Sequence, residues 1–336
     1  MGPLRALVRT ARMARHTSRL GAGLTADDEV LLDAPDGRLG PALVAAGRGE
    51  YAPAAKLLAI TREAAEWENR DRYALRLAAF AQARDGWLRA WQTAAPHDPD
   101  ALLIRAELAV ARGWRSPARV ELLREVNPLI AAAAEGEPRD PVPWRIALDH
   151  ARGTGLGHTG FEQLWAEAVC RSPHHYGCHV SALKYLSAAW YGSHRECFDF
   201  AERAAEDALP GSLVRALPVR AALAYLAEGG GAVIPRARLD EAADGAIALS
   251  AEYEPGDPWP AEVRNLLTYV LVRLERWTDA LTQLRLIGPY ATSFPWDRMS
   301  DDPLGQFLQL RDGVRLEVAC SIPLRARPER PTRAEG

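Results

Sequence analysis

The stretch that decides the fold of this 336-residue chain is LERWTDALTQL, residues 274–284. An aromatic residue, Trp277, is followed at +3 and +4 by small or apolar residues and at +7 by leucine, so all four side chains share one helix face. Just upstream, apolar residues recur at helical spacing from Val263 to Leu274. Because two successive amphipathic helices must bury their apolar faces, the pattern predicts a helical hairpin.

The same pattern recurs along the chain. It is found in residues 47–58, where Tyr51 is the aromatic position, and a looser copy begins at Trp114. Helix starts are indicated where proline follows a short polar residue that can cap the helix. Four such pairs are Asp98-Pro99, Asp140-Pro141, Ser172-Pro173 and Asp257-Pro258. Since alternating β-branched runs are scarce, the sequence predicts an all-α chain of helical hairpins in series.

The hairpin pattern resembles tetratricopeptide repeats, in which paired helices stack because they cannot bury their apolar faces alone. The segments at residues 87–91, 182–186 and 190–193 further resemble an actinobacterial tetratricopeptide-like family of unknown function. The resemblance covers most of residues 40–315. It implies a degenerate helical-hairpin solenoid, and it transfers neither an activity nor a catalytic residue.

Both ends of the chain differ from its middle. We therefore divide the chain into a basic segment at 1–26, the tetratricopeptide-like solenoid at 27–315 and a largely disordered tail at 316–336. The basic segment holds no acidic side chain, and if it is helical, five arginines lie within about 120° of one another. They are Arg5, Arg9, Arg12, Arg15 and Arg19. The segment is either a solvated helix or frayed terminus, or an arm for an acidic partner or membrane surface.

Composition narrows the functional classes. The formal net charge of -3 supplies no global positive field, which argues against nonspecific binding to nucleic acid. Four cysteines make a poor disulfide framework for this length, and no apolar leader precedes a cleavage site, so we expect a cytoplasmic protein. No apolar run approaches the roughly 20 residues of a membrane span. No motif predicts a bound cofactor.

Two cysteines and three histidines lie within ten residues, in CRSPHHYGCH at 170–179. His175 and His179 have the i, i+4 spacing by which two imidazoles on one helix can share a metal, and Cys170 is a further candidate ligand. Against a metal site, Cys170 projects away from the apolar stripe of the preceding helix, and paired C-x-x-C and H-E-x-x-H motifs are missing. The alternative is an ordinary, partly buried helix that contains histidines.

This helix is predicted to run from Pro173 to about Trp190 and to end in a turn. Gly192 suits a left-handed position after it, Ser193 is a good N-cap for the next helix, and Glu196 would complete a capping box. We expect Trp190 to be buried. Emptying its site should then cost about 3–5 kcal/mol, against about 1 kcal/mol for losing the serine cap.

The glycine motif GLGHTG at residues 155–160 matches the dinucleotide-binding pattern G-x-G-x-x-G. That pattern requires a strand before the glycines, whereas residues 143–152 are typical of a helix. We therefore interpret the motif as a loop between helices.

The favoured functional hypothesis is a noncatalytic scaffold of roughly six hairpins whose inner groove binds an unidentified peptide or protein. Its candidate groove residues are His174, Lys184 and Tyr185. One alternative is a metal-dependent enzyme built on the cluster at 170–179. Another is a regulator that binds a polyanion through its N-terminal arginines. The sequence leaves the partner, the binding face and the oligomeric state open.

Overall fold

The computed structural model describes residues 20–321. The predictions for residues 1–19, which hold the basic face, and for residues 322–336 of the tail lie outside this range. The described chain is all-α, with sixteen helices of six or more residues. Its β structure is one parallel pair, Leu31–Leu32 (β1) with Tyr290–Ala291 (β2). Within the same range, no helix combines the length and apolar character needed to cross a bilayer.

The helices have the following bounds in chain order. They are α1 (Leu39–Gly47), α2 (Ala52–Glu63), α3 (Trp67–Ala83), α4 (Gly86–Ala94), α5 (Pro99–Arg115), α6 (Arg119–Arg124), α7 (Asn127–Gly136), α8 (Val142–Thr154), α9 (His158–Arg171), α10 (Tyr176–Tyr185), α11 (His194–Asp207), α12 (Leu217–Ala227), α13 (Arg236–Ser250), α14 (Ala261–Arg273), α15 (Trp277–Ile287) and α16 (Pro303–Ser321).

Asp98 caps α5 as predicted, whereas Asp140 lies one residue before the N-cap of α8, which is Pro141. The side chain of Asp98 accepts hydrogen bonds from the backbone N–H groups of Asp100 and Ala101, the second and third residues of α5, at 2.9 and 3.1 Å. Asp140 accepts one from the first N–H of α8, at 2.8 Å. Pro173 and Pro258 instead precede the first residues of α10 and α14 by three positions. There the proline marks the approach to the helix rather than its first turn.

Residues 35–252 form one compact unit, which holds α1 to α13. The helices α3, α5, α8, α10 and α12 contact one another in that order, and we call them the leading helices. Helix α3 also contacts α8 and α10. The first four leading helices therefore enclose an interior, and what fills that interior decides where a ligand can bind.

Residues 20–34 and 253–321 form a second compact unit. Here α14 and α15 make the hairpin that the repeat pattern predicts, and the apolar stripe of α14 is buried. Helix α16 packs on α15 and continues to Ser321, six residues beyond the predicted solenoid boundary at 315.

Candidate functional site

In the histidine-rich stretch, His175 and His179 lie at the start of α10 and do not share one face of a longer helix. Helix α10 runs from Tyr176 to Tyr185, so the predicted helix is too long at both ends. His175 is the N-cap, because its Nδ1 accepts a hydrogen bond from the backbone N–H of Cys178 at 3.2 Å. The Nδ1 of His179 lies 3.0 Å from the carbonyl oxygen of His175. Both imidazoles thus use Nδ1 to hold the first turn of α10.

The three candidate metal ligands are not brought together. His175 and His179 are buried, whereas Cys170 is exposed near the end of α9. In the described part of the chain, no group of three or more His, Cys, Asp or Glu side chains is arranged to hold a metal ion. Cys170 instead lines an open groove of about 340 Å³ together with Glu167 and Arg171.

The two buried histidines differ in ionisation. Burial lowers the pKa of His179 to about 4, because its protonated ring would lose hydration. Burial acts in the same direction on His175, but Cys178, Glu68 and Asp71 outweigh it and raise the pKa of His175 to about 10. The capping bond opposes that protonation, since an N–H can donate only to an unprotonated Nδ1.

The three residues predicted to line a groove lie in different environments. Tyr185 is fully buried: its ring stacks on Phe161 with centroids 3.7 Å apart, and its hydroxyl donates to the carbonyl oxygen of Leu156 at 2.8 Å. His174 and Lys184 are half-buried. Tyr185 therefore belongs to the core, and only the other two can meet a ligand without rearrangement.

Arg70 of α3 is the first of two buried arginines that join the leading helices. Its Nε lies 2.5 Å from Oδ2 of Asp140, just before α8, and its Nη2 lies 2.7 Å from Oδ1 of Asp100 in α5. Its Nη1 donates to the carbonyl oxygen of Leu58 in α2 at 2.9 Å. One guanidinium thus connects α3 to three other segments through charge-assisted hydrogen bonds.

Arg145 of α8 is the second of these arginines. Its guanidinium nitrogens lie 2.7 Å from Oδ1 of Asp71, 2.6 Å from Oε2 of Glu107 and 3.8 Å from Oδ2 of Asp149. Burial alone would lower the pKa of Arg145, but these carboxylates raise it above its ordinary value. Because an unpaired charge is costly in such an interior, the ion pairs fix α3, α5 and α8 against one another.

A second group of side chains, which sequence analysis did not bring together, lies at the carboxyl ends of α5, α8 and α10. We call it the arginine–tryptophan cluster, and it comprises Trp114, Arg119, Arg152 and Trp190. The two indole rings meet edge to face, with centroids 5.2 Å apart. The Cζ atom of Arg152 lies 4.1 and 4.8 Å from the two ring centroids, and that of Arg119 lies 5.0 and 5.3 Å away. Each guanidinium therefore makes cation–π contacts with both rings.

Local sequence explains how the cluster forms. Trp114 and Arg152 lie in the last turns of α5 and α8, and Arg119 is the first residue of α6. Gly153 allows these elements to approach closely. A Cβ atom there would lie 2.3 Å from the side chain of Leu123 and 3.0 Å from the ring of Trp114. Position 153 therefore requires glycine for a steric reason.

Three exposed apolar side chains follow residues of the cluster closely in the chain. Leu122 of α6 is 40% exposed, Leu156 beyond α8 is 38% exposed, and Tyr191 beside Trp190 is 37% exposed. The hydroxyl of Tyr191 donates to the carbonyl oxygen of Arg152 at 3.1 Å, which holds its ring next to the cluster. We call Leu122, Leu156 and Tyr191 the apolar rim. Of the three, Tyr191 contacts the cluster directly, with its ring centroid 6.3 Å from that of Trp190, whereas the Leu156 side chain packs towards Gly160 of α9. An exposed aromatic ring beside tryptophan and arginine is typical of an interaction surface.

Positive charge exceeds negative charge at the cluster. Asp149 accepts a hydrogen bond from Nη2 of Arg152 at 3.2 Å. Lys184 lies near Asp149 and Arg152. Burial lowers the pKa of Lys184, and the positive charges of Arg220 and Arg152 lower it further, whereas the Asp149 carboxylate acts to raise it. Arg119 makes no hydrogen bond or ion pair with any described residue, and its Nε is buried without an acceptor.

The turn between α10 and α11 supports the same region. Ser193 caps α11: its Oγ accepts from the backbone N–H of Glu196 at 3.2 Å and donates to the Glu196 carboxylate at 2.7 Å. Trp190 is half-buried, because one side of it is covered by the cluster. Gly192 does not adopt the expected left-handed conformation. It is required instead by close packing, since a Cβ there would lie 2.3 Å from the carbonyl oxygen of Leu186.

The glycine motif at 155–160 connects two helices. Gly155 ends α8 in the left-handed region, with φ of 76°, and Gly157 precedes α9. Gly160 lies in the first turn of α9. Because a helix precedes the glycines, the interpretation as an interhelical loop is confirmed.

Comparisons of the chain with protein-family models, with curated proteins and with solved structures give no match. Proposals about its function therefore rest on the geometry of its own residues.

Proposed function

We propose that the protein is a noncatalytic scaffold that binds a peptide or protein segment, and that its hairpins form a tetratricopeptide-like solenoid. Support for this architecture comes from the leading helices, which contact one another in chain order within residues 35–252. Repeat proteins build extended binding surfaces by stacking successive units, and the additional contacts of α3 with α8 and α10 depart from a regular array.

The observation that carries the proposal is the apolar rim around the arginine–tryptophan cluster. Tyr191 is exposed beside the two indole rings and two guanidinium groups, and Leu156 is exposed four positions after Arg152. Tryptophan, tyrosine and arginine are enriched at the centres of protein interfaces, where truncation costs most binding energy. A peptide on this rim can bury these side chains without displacing a helix.

The proposed surface differs from the inner groove expected from the sequence. Arg70 and Arg145, with their carboxylates, occupy the interior between α3, α5 and α8. A peptide entering there would have to separate these ion pairs, and breaking one buried pair costs about 3–5 kcal/mol. We therefore assign the binding surface to the carboxyl ends of α5, α8 and α10.

The proposal can be tested by photo-crosslinking from the rim. A benzophenone amino acid incorporated at Leu156 in the full chain should capture a binding partner in extract of the source cells, and each captured protein is then purified and titrated directly. Leu156→Ser should weaken that direct binding. The matched control is Leu209→Ser, because Leu209 is also exposed but follows the far end of α11. Equal effects of the two substitutions, or no direct binding by any captured protein, would count against a scaffold acting through this rim.

A further inference from the structure

We infer that this surface recognises an acidic peptide segment, and that Arg119 is the residue that binds a carboxylate of that segment. The inference rests on the proposed scaffold function, and it names the chemistry of the partner.

The orientation of Arg119 is the first argument. Its guanidinium lies against both indole rings of the cluster, with Cζ 5.0 Å from the Trp114 centroid and 5.3 Å from the Trp190 centroid. A guanidinium held against aromatic rings keeps its in-plane N–H donors, and little side-chain entropy remains to be lost when they bind. Those donors fit a carboxylate in a two-point contact. Arg119 is therefore preorganised for an acidic group.

The absence of an internal acceptor is the second argument. Arg152 and Lys184 have a carboxylate close by: Arg152 donates to Asp149 at 3.2 Å, and Asp149 also lies near Lys184. Arg119 has no hydrogen-bond or ion-pair partner in residues 20–321. Asp149 thus serves Arg145, Arg152 and Lys184, and the guanidinium of Arg119 has no carboxylate partner among residues 20–321. A ligand carboxylate would add the missing negative charge.

The apolar rim is the third argument, because it favours a peptide over a small anion. Leu122 lies three positions after Arg119 on α6, and Tyr191 directly follows Trp190. Both are exposed, and the Tyr191 ring lies 6.3 Å from the Trp190 ring that Arg119 contacts, so a ligand held at Arg119 can extend over apolar surface. A free anion would leave that surface in water. The segment that fits best therefore alternates acidic with aliphatic residues.

A titration with defined peptides tests the inference. The probe is the fluorescein-labelled peptide GELEELEG, measured by fluorescence anisotropy against the full chain, with GQLQQLQG as its uncharged counterpart. We expect saturable binding of the acidic peptide at least about tenfold tighter than that of the glutamine peptide, since hydrogen bonds to charged groups contribute at least that much. Binding should weaken as salt is added, because the Arg119 site is accessible to solvent.

Substitutions locate the contact. Arg119→Gln should weaken binding of GELEELEG about tenfold. Arg119→Lys should weaken it nearly as much, because a lysine keeps the charge but loses the planar pair of donors. The matched control is Arg124→Gln on the same helix, where the side chain is exposed and the same charge is removed. It should change the affinity by less than about twofold. Thermal unfolding followed by circular dichroism verifies that each variant is folded.

Three results would overturn the inference. They are equal binding of the two peptides, equal losses in Arg119→Gln and Arg124→Gln, and complete displacement of the peptide by millimolar inorganic phosphate, which would indicate a simple anion site. The scaffold proposal fails separately. If a crosslinked partner binds Arg119→Gln with normal affinity but binds Leu156→Ser weakly, the scaffold proposal is supported and the acidic-peptide inference is contradicted.

Discussion

Arg145 of α8 and Asp71 of α3, 74 positions apart in the chain, form a buried ion pair with nitrogen–oxygen distances of 2.7 and 2.9 Å. The same guanidinium also pairs with Glu107 of α5. Three helices that belong to different hairpins thus share one charged group. This interior joins the leading helices by ion pairs and leaves no space for a ligand between them.

Removal of Arg145 should destabilise the protein strongly. Arg145→Met leaves Asp71 and Glu107 buried without their counter-charge, and we expect the free energy of unfolding to fall by about 3–5 kcal/mol. Urea denaturation followed by circular dichroism measures the loss. The control is Arg139→Gln, which breaks an exposed pair with Glu137 and should have little effect. If the two variants unfolded at the same urea concentration, the interior network would not be holding the helices.

Local periodicity predicted the helices well, because an amphipathic stripe depends only on residues within a few turns. The stripe that ends at Leu274 and the cap at Asp98 are of this kind, and both appear in the structure. The capping of α10 was missed, since Ser172 with proline after it resembles a cap, whereas His175 supplies the actual one. A histidine N-cap carries no strong sequence signal.

The candidate site could not be predicted in the same way. Trp114 and Trp190 lie 76 positions apart, and their contact depends on how α5, α8 and α10 pack. Each residue alone is ordinary: the first fits a repeat pattern, and the second is a large apolar residue after a helix. Gly153 was the available clue, because a glycine within a helix costs about 0.5–1 kcal/mol and therefore indicates a packing need.

A methyl group at Gly153 should disturb the cluster. Gly153→Ala places Cβ 2.3 Å from the Leu123 side chain, and we expect a loss of about 1–3 kcal/mol in the free energy of unfolding from overpacking. The matched control is Gly245→Ala in α13, where no heavy atom lies within 4 Å of the added Cβ. That variant should gain about 0.5–1 kcal/mol, since alanine favours a helix over glycine. A lower melting temperature than the wild type for Gly153→Ala, together with a higher one for Gly245→Ala, would support the packing argument. A change in the same direction for both variants would contradict it.

Tyr185 should contribute to stability through its ring more than through its hydroxyl. Tyr185→Phe removes one buried hydrogen bond to the Leu156 carbonyl and should cost about 1 kcal/mol. Tyr185→Ala also removes the ring stacked on Phe161 and should cost about 3–5 kcal/mol. Urea titrations of both variants give the two values. Similar losses would show that the ring is not packed as described.

The buried imidazole of His179 should make stability fall in acid. Its pKa is lowered to about 4 in the folded protein, against an ordinary value near 6.5, so the unfolded chain binds its proton at higher pH. Its contribution is therefore present above about pH 6.5 and is lost as the pH falls towards 4, by up to about 3 kcal/mol.

The test is His179→Gln, whose uncharged side chain can still donate to the His175 carbonyl oxygen. As the pH is lowered from 6.5 to 4.5, the free energy of unfolding of the wild type should fall by about 2 kcal/mol relative to that of His179→Gln. Urea titrations at several pH values follow that difference. The matched control is His97→Gln, since His97 is exposed. The His179 ring is buried between α9 and α11, where it contacts Trp165 and Phe200. Parallel pH profiles of stability for the wild type and His179→Gln would mean that this burial does not keep the imidazole neutral.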